Sequence, residues 1–129
     1  MKPKHFSHAV PFLPVKDLQE TVQFYKEKLG FSKEWFWEDS DVGMERNDLH
    51  VLFNKNPNHL TQINSNGQAL EICWFVTNVD EIYEEIKSKG VKIISELENK
   101  PWRMREFTIF DNNGYAIRIG QGIEEESSS

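Results

Sequence analysis

The sequence predicts an α+β domain built from two successive βαβββ modules, and three observations carry that reading. A short strand runs directly into an amphipathic helix over residues 9–31. The same order, strand, helix and then three strands, returns after residue 69. Between the halves lies a polar stretch with neither strand nor helix period.

In the opening stretch Val10, Leu13 and Val15 are strand formers, while Pro11 and Pro14 suit an edge strand or its end. A helix follows at once. Asp17 is placed as its N-cap with Glu20 completing a capping box, Leu18, Val22, Tyr25 and Leu29 form one apolar stripe, and Gly30 ends it. In the next strand Trp35 and Trp37 share one face and Phe36 takes the other, before a turn over residues 39–43. Residues 44–54 read as a hairpin with Asn47-Asp48 at its tip, in which Leu49, Val51 and Phe53 alternate with His50, Leu52 and Asn54. Residues 55–67, rich in Asn and holding Pro57 and Gly67, read as a crossing loop.

The second half gives a strand over 70–77, then a helix capped by Asp80, carrying Ile82, Tyr83 and Ile86 and stopped at Gly90-Val91. Residues 92–97 offer a strand, 98–104 a loop, and 105–111 another strand. Asn112-Asn113-Gly114 is a hairpin turn, since Asn and Gly tolerate positive φ, and 115–121 is the returning strand. The halves share this pattern and little residue identity. One domain over 1–122 results, with module one at about 7–54, module two at about 69–121, and 123–129 as a disordered acidic and serine tail.

Composition narrows the class further. With 129 residues, 38% of them hydrophobic and 28% charged, the chain has enough material for a core without staples. Net charge is −6, half of it from Glu124, Glu125 and Glu126, which argues against a nucleic-acid partner and permits cationic ligands. The absence of an apolar run of membrane length, and of an apolar signal core in the first residues, points to no membrane partner and to a cytoplasmic protein. Cys73 is the single cysteine, so intrachain disulfides and multi-cysteine metal sites are excluded, and its apolar strand suggests a buried inert thiol.

From Ala9 to Gln121 the chain resembles the vicinal oxygen chelate superfamily, which groups glyoxalases, bleomycin resistance proteins and dioxygenases. The residues that carry the likeness are the Ala-Val-Pro opening at 9–11, the strand-to-helix entry at Asp17, the Gly-x-x-Arg-x-Asp-Leu hairpin at 43–49, and the Arg-Glu-Phe strand leading to the Asp-x-x-Gly turn at 105–114. It is most similar to the bleomycin resistance proteins. Their usual Asp-Pro-Asp-Gly-Asn turn is here Asp111-Asn112-Asn113-Gly114-Tyr115, which keeps the geometry. The resemblance implies a glyoxalase-like curled mixed sheet with helices on its convex face, a homodimer, and sequestration of a planar or cationic toxic compound such as an antibiotic.

Metal-dependent members of this superfamily place a His, Glu or Gln from each of four strands into the cavity. The matching positions here are Val10, a residue near His50 or Leu52, Trp74, and Arg118. Val10 and Trp74 offer no lone pair and Arg118 is a permanent cation, so no catalytic metal and no cofactor are expected. His8 is the best substitute ligand among the remaining histidines, none of which has a metal-ligand spacing. Phosphate loops and nucleophile elbows are missing, so no catalytic residue is named. The surplus of aromatics remains. Ligand contact is assigned to Trp35, Trp37, His50, Trp74, Trp102, Arg105 and Arg118, since aromatic faces beside acidic groups hold flat cations by stacking and cation–π attraction. A non-turnover binding protein is the leading expectation. The alternative is a glyoxalase-, lyase- or dioxygenase-like enzyme with a non-standard site using His8, His50 or Arg118.

Overall fold

The computed structural model describes residues 5–65 and 67–124. Its elements are β1 (Phe12–Val15), α1 (Leu18–Leu29), β2 (Ser32–Trp37), β3 (Asp41–Arg46), β4 (Leu49–Lys55), α2 (Pro57–Ile63), β5 (Glu71–Phe75), α3 (Val79–Ser88), β6 (Ile93–Lys100), β7 (Met104–Phe110) and β8 (Ala116–Gly122). Two four-stranded mixed sheets result, ordered β1-β4-β3-β2 and β5-β8-β7-β6. In each, the first strand pairs parallel with the last and the others pair antiparallel, so the two βαβββ modules of the sequence are both present.

Local chemistry sets the helix ends. Asp17 caps α1 by accepting the Glu20 amide at 2.9 Å, and Gly30 closes it at φ 74, a left-handed conformation that costs glycine little. A side chain at Gly30 would also meet the Arg46 guanidinium at 2.8 Å. The buried stripe of α1 is Leu18, Thr21, Val22, Tyr25 and Leu29, which extends the expected one by Thr21.

Several boundaries differ from the sequence reading, and residues 41–43, read as turn, begin β3. Residues 57–63 form helix α2, with Asn56 accepting the His59 amide at 3.1 Å and Pro57 in the first turn; α2 buries no residue, so it shows no apolar period. Asn78, not Asp80, is the N-cap of α3, and Asp80 lies in its first turn. The expected loop at 98–104 is mostly strand. β6 runs on to Lys100 and β7 begins at Met104, because Glu98, Asn99 and Lys100 pair with Glu106, Arg105 and Met104. The assigned tail begins as part of the body, since the Ile123 amide donates to the Arg103 carbonyl at 2.9 Å, while 125–129 lie outside the described residues.

Each sheet has a covered face and an open one. On the first, Leu13, Val15, Val42, Met44, Val51 and Phe53 point toward α1; on the second, Trp74, Phe107, Ile109, Ile117 and Ile119 point toward α3. These covered faces share one core. The modules dock through buried polar contacts: Tyr25 Oη donates to Asp111 Oδ2 at 2.7 Å, and Tyr115 Oη donates to the Pro14 carbonyl. At the seam's edge Arg46 forks onto Glu85 at 2.8 and 2.9 Å and reaches the Leu29 carbonyl at 2.8 Å. Burial pushes the Asp111 carboxyl up and the Tyr25 and Tyr115 hydroxyls up, and the neighbouring Asp111 charge adds to both tyrosines. Among the described residues no helix is long and apolar enough to cross a membrane.

Candidate functional site

The open faces hold what the core leaves over. On the first sheet, register places Trp35 beside Gly43, Gly43 beside Leu52, and Glu45 beside His50, all on the side turned away from α1. Trp35 and Trp37 are 61% and 56% exposed, with ring centroids 6.3 Å apart and tilted by 37°. Gly43 gives them a flat floor, since a Cβ there would come within 3.1 Å of Leu52 and touch the Trp35 ring at 4.0 Å. Charge borders this aromatic step. Asp41, cross-strand from Trp37, accepts from Asn54 at 2.8 Å, and Glu45 is held by Lys33 at 3.2 Å and faces His50 Nδ1 at 3.5 Å. His8 stacks on His50 with centroids 5.8 Å apart.

The second open face centres on Trp102, in the turn between β6 and β7 and 56% exposed. Its indole N–H donates to Glu106 Oε1 at 3.1 Å, and the Lys100 ammonium and Arg118 guanidinium each lie 6.0 Å from its ring centre. Arg118 is paired with Glu71 and stands 3.8 Å from Glu106. Phe75, beside Gly120, is also exposed there.

Of the residues singled out by sequence, the fold thus gathers Trp35, Trp37 and His50 on one open face and Trp102 and Arg118 on the other. Two lie elsewhere. Trp74 turns to the helix side of its sheet, 8% exposed, where it packs edge-on to Tyr25 and against Phe31 at 5.3 Å and forms part of the wall of both clefts at the module seam. Cys73 takes the outward position in its place, exposed and cross-strand from Arg118, so the expected buried thiol is corrected. Arg105 points to the helix side, where its guanidinium grips Asp80 at 2.8 Å and holds that carboxyl below the usual range. Sequence reading missed Glu106 and Glu71. The signal for Glu106 was its spacing to Trp102 together with a glycine, Gly120, on the partnering strand.

Two clefts open at the module seam. One of about 430 Å³ is lined by Leu29, Phe31, Trp74, Ile86 and Ile119 with Arg46 at its mouth. The other, of about 240 Å³, lies between residues 8–11 and strands β4 and β5, with His8, His50 and Cys73 in its wall. Among the described residues no three His, Cys, Asp or Glu side chains gather as a metal site, and the residues at the superfamily's ligand positions, Val10, Trp74 and Arg118, do not fit a divalent ion.

Paired βαβββ modules, each a four-stranded mixed sheet with one face covered by a helix and the other open, define a glyoxalase-like class of domain. The chain belongs to the Glyoxalase/Bleomycin resistance protein/Dioxygenase superfamily, whose family model matches residues 4–119. It is 27% identical to the bleomycin resistance proteins of Geobacillus stearothermophilus and Staphylococcus aureus over 136 aligned positions, covering 90% of this chain and 97% of theirs. Among solved structures, a bleomycin resistance determinant encoded on the transposon Tn5 has a TM-score of 0.76 at 24% identity, with 91% of this chain and 98% of that one covered. The bleomycin-binding protein of Streptomyces verticillus complexed with copper(II)-bleomycin has a TM-score of 0.73 at 23% identity, with 93% and 99% covered. TioX from Micromonospora sp. ML1 has a TM-score of 0.74 at 18% identity, with 92% and 100% covered.

Proposed function

We propose that this protein sequesters a bleomycin-type antibiotic, flat and cationic, without turning it over. The observation that carries the reading is the pair of exposed tryptophans, Trp35 and Trp37, laid on the Gly43 floor beside Asp41 and Glu45. An unpartnered indole face costs the fold free energy in water, and a planar cation gains from covering it by stacking and cation–π attraction. The relatives' names supply the ligand class. We also propose that the protein works in the cytoplasm as a homodimer, a second copy covering the free edges at β2 and β6 and leaving the tryptophan-bearing faces open to ligand.

Titration with bleomycin tests the binding reading. Trp35, Trp37 and Trp102 are exposed and accessible to a stacking ligand, so emission quenches and saturates near one equivalent per chain. Binding weakens with salt, because an acidic protein is holding a cation. Absence of quenching and of calorimetric heat at high micromolar drug removes bleomycin. Continued consumption of the drug beyond stoichiometry marks an enzyme in its place. Light scattering that gives 15.2 kDa, the mass of one chain, at high micromolar concentration removes the dimer.

A further inference from the structure

Among the described residues, Glu106 is the one carboxylate on the open face of the second sheet that is itself buried, 4% exposed in a strand whose other outward positions are partly accessible. A buried carboxylate is costly unless it is bonded, so its partners indicate its role. It lies over Gly120, its cross-strand neighbour. A Cβ at Gly120 would stand 2.9 Å from the Met104 methyl, 3.0 Å from Glu106 Cβ and 3.3 Å from Oε2, so the glycine leaves the room that the Met104 and Glu106 side chains fill. From there Oε1 accepts the Trp102 indole N–H at 3.1 Å, while Arg118, 3.8 Å away and paired with Glu71, balances the charge.

We infer that Glu106 is a positioning residue for Trp102, a carboxylate seated beside Gly120 that holds the indole by its N–H edge and leaves the 56% exposed ring, flanked by Lys100 and Arg118, open to a planar ligand. The inference rests on the binding reading for the ligand but not for the restraint. Trp102 occupies a turn of three residues between β6 and β7, where an indole with no partner samples several rotamers. Fixing it beforehand removes that ordering cost from binding. It also sets what the ligand can do: it stacks on the ring and accepts no hydrogen bond from the indole, whose donor is already used.

Two experiments decide this. In the otherwise unaltered chain, the Trp102 indole N–H, assigned by its loss in Trp102→Phe, exchanges with solvent at least about tenfold more slowly than those of Trp35 and Trp37; equal exchange overturns the inference. In a Trp35→Phe/Trp37→Phe background, where Trp74 and Trp102 remain, time-resolved fluorescence anisotropy gains a fast component in Glu106→Leu. Glu106→Gln, which keeps an acceptor oxygen, retains the slow decay. With Trp35 and Trp37 kept, bleomycin affinity follows the same order, falling several-fold in Glu106→Leu and restored in Glu106→Gln. A ring equally fixed in Glu106→Leu and the parent, or equally loosened in Glu106→Gln, refutes the positioning role. If the parent chain fails to bind bleomycin, the functional reading fails, while the exchange and anisotropy results still decide the restraint.

Discussion

Replacing Tyr25 by Phe tests the buried contact that docks one module on the other. The ring is fully buried and stays in place, so no cavity opens. What is lost is the hydroxyl donating to Asp111 Oδ2 at 2.7 Å, while Oδ1 keeps the Asn113 and Tyr115 amides at 2.8 and 2.9 Å. A buried charged acceptor stripped of one donor costs about 1.5–3 kcal/mol. For a domain of this size each kcal/mol lowers Tm by roughly 3–6 °C, so the expected fall is about 5–18 °C. The pH dependence has a definite sign. Burial holds the Asp111 carboxyl above its usual range and its hydrogen bonds pull it back, so losing Tyr25 Oη raises it further. A carboxyl raised in the folded state destabilises the fold when ionised, and that cost disappears as pH falls below the unfolded value. The Tyr25→Phe penalty is therefore largest at neutral pH and shrinks toward about pH 4. Urea unfolding followed by fluorescence at pH 7 and pH 5 measures both. A loss under about 0.5 kcal/mol at pH 7, or a penalty that grows on acidification, refutes the argument.

Trp74→Ala, which removes a ring packed on Tyr25 and Phe31, costs about 3–5 kcal/mol, whereas Trp37→Ala, more than half exposed, costs about 1–2 kcal/mol or less. Denaturation midpoints rank the two, and the reverse order would return Trp37 to the core. Glu85→Gln breaks the Arg46 fork, which holds the Glu85 carboxyl below its usual range. A lowered carboxyl stabilises the fold above its unfolded pKa and loses that effect as pH falls, so the variant is about 1 kcal/mol weaker at pH 7 and indistinguishable near about pH 3. Gly30→Ala meets both a left-handed φ of 74 and the Arg46 guanidinium at 2.8 Å, and a loss of about 1–2 kcal/mol is expected in the same unfolding assay. Added zinc, nickel or iron leaves Tm unchanged and elemental analysis finds none at stoichiometry; one bound ion per chain would restore metal chemistry to the alternatives.

Sequence alone determined the two modules, because strand and helix periods differ and local chemistry punctuates them. The Asp17 cap, the Gly30 stop and the Asp111–Gly114 turn need only their own neighbours. The faces of β4 were also legible, since Val51 and Phe53 alternate with polar His50 and Asn54. The run Ile72-Cys73-Trp74-Phe75 carries no such alternation, and only pairing with β8 and packing on Tyr25 and Phe31 decided that Trp74 turns inward and Cys73 outward. Glu98, Asn99 and Lys100 read as loop because polar residues have weak strand preference, yet cross-strand pairing with β7 made them strand. The same pairing sent Arg105 to Asp80 and seated Glu106 over Gly120. Local order followed from residues close in the chain. Which side of each strand meets solvent depended on partners as distant as Trp74 and Tyr25, and those only the folded chain brings together.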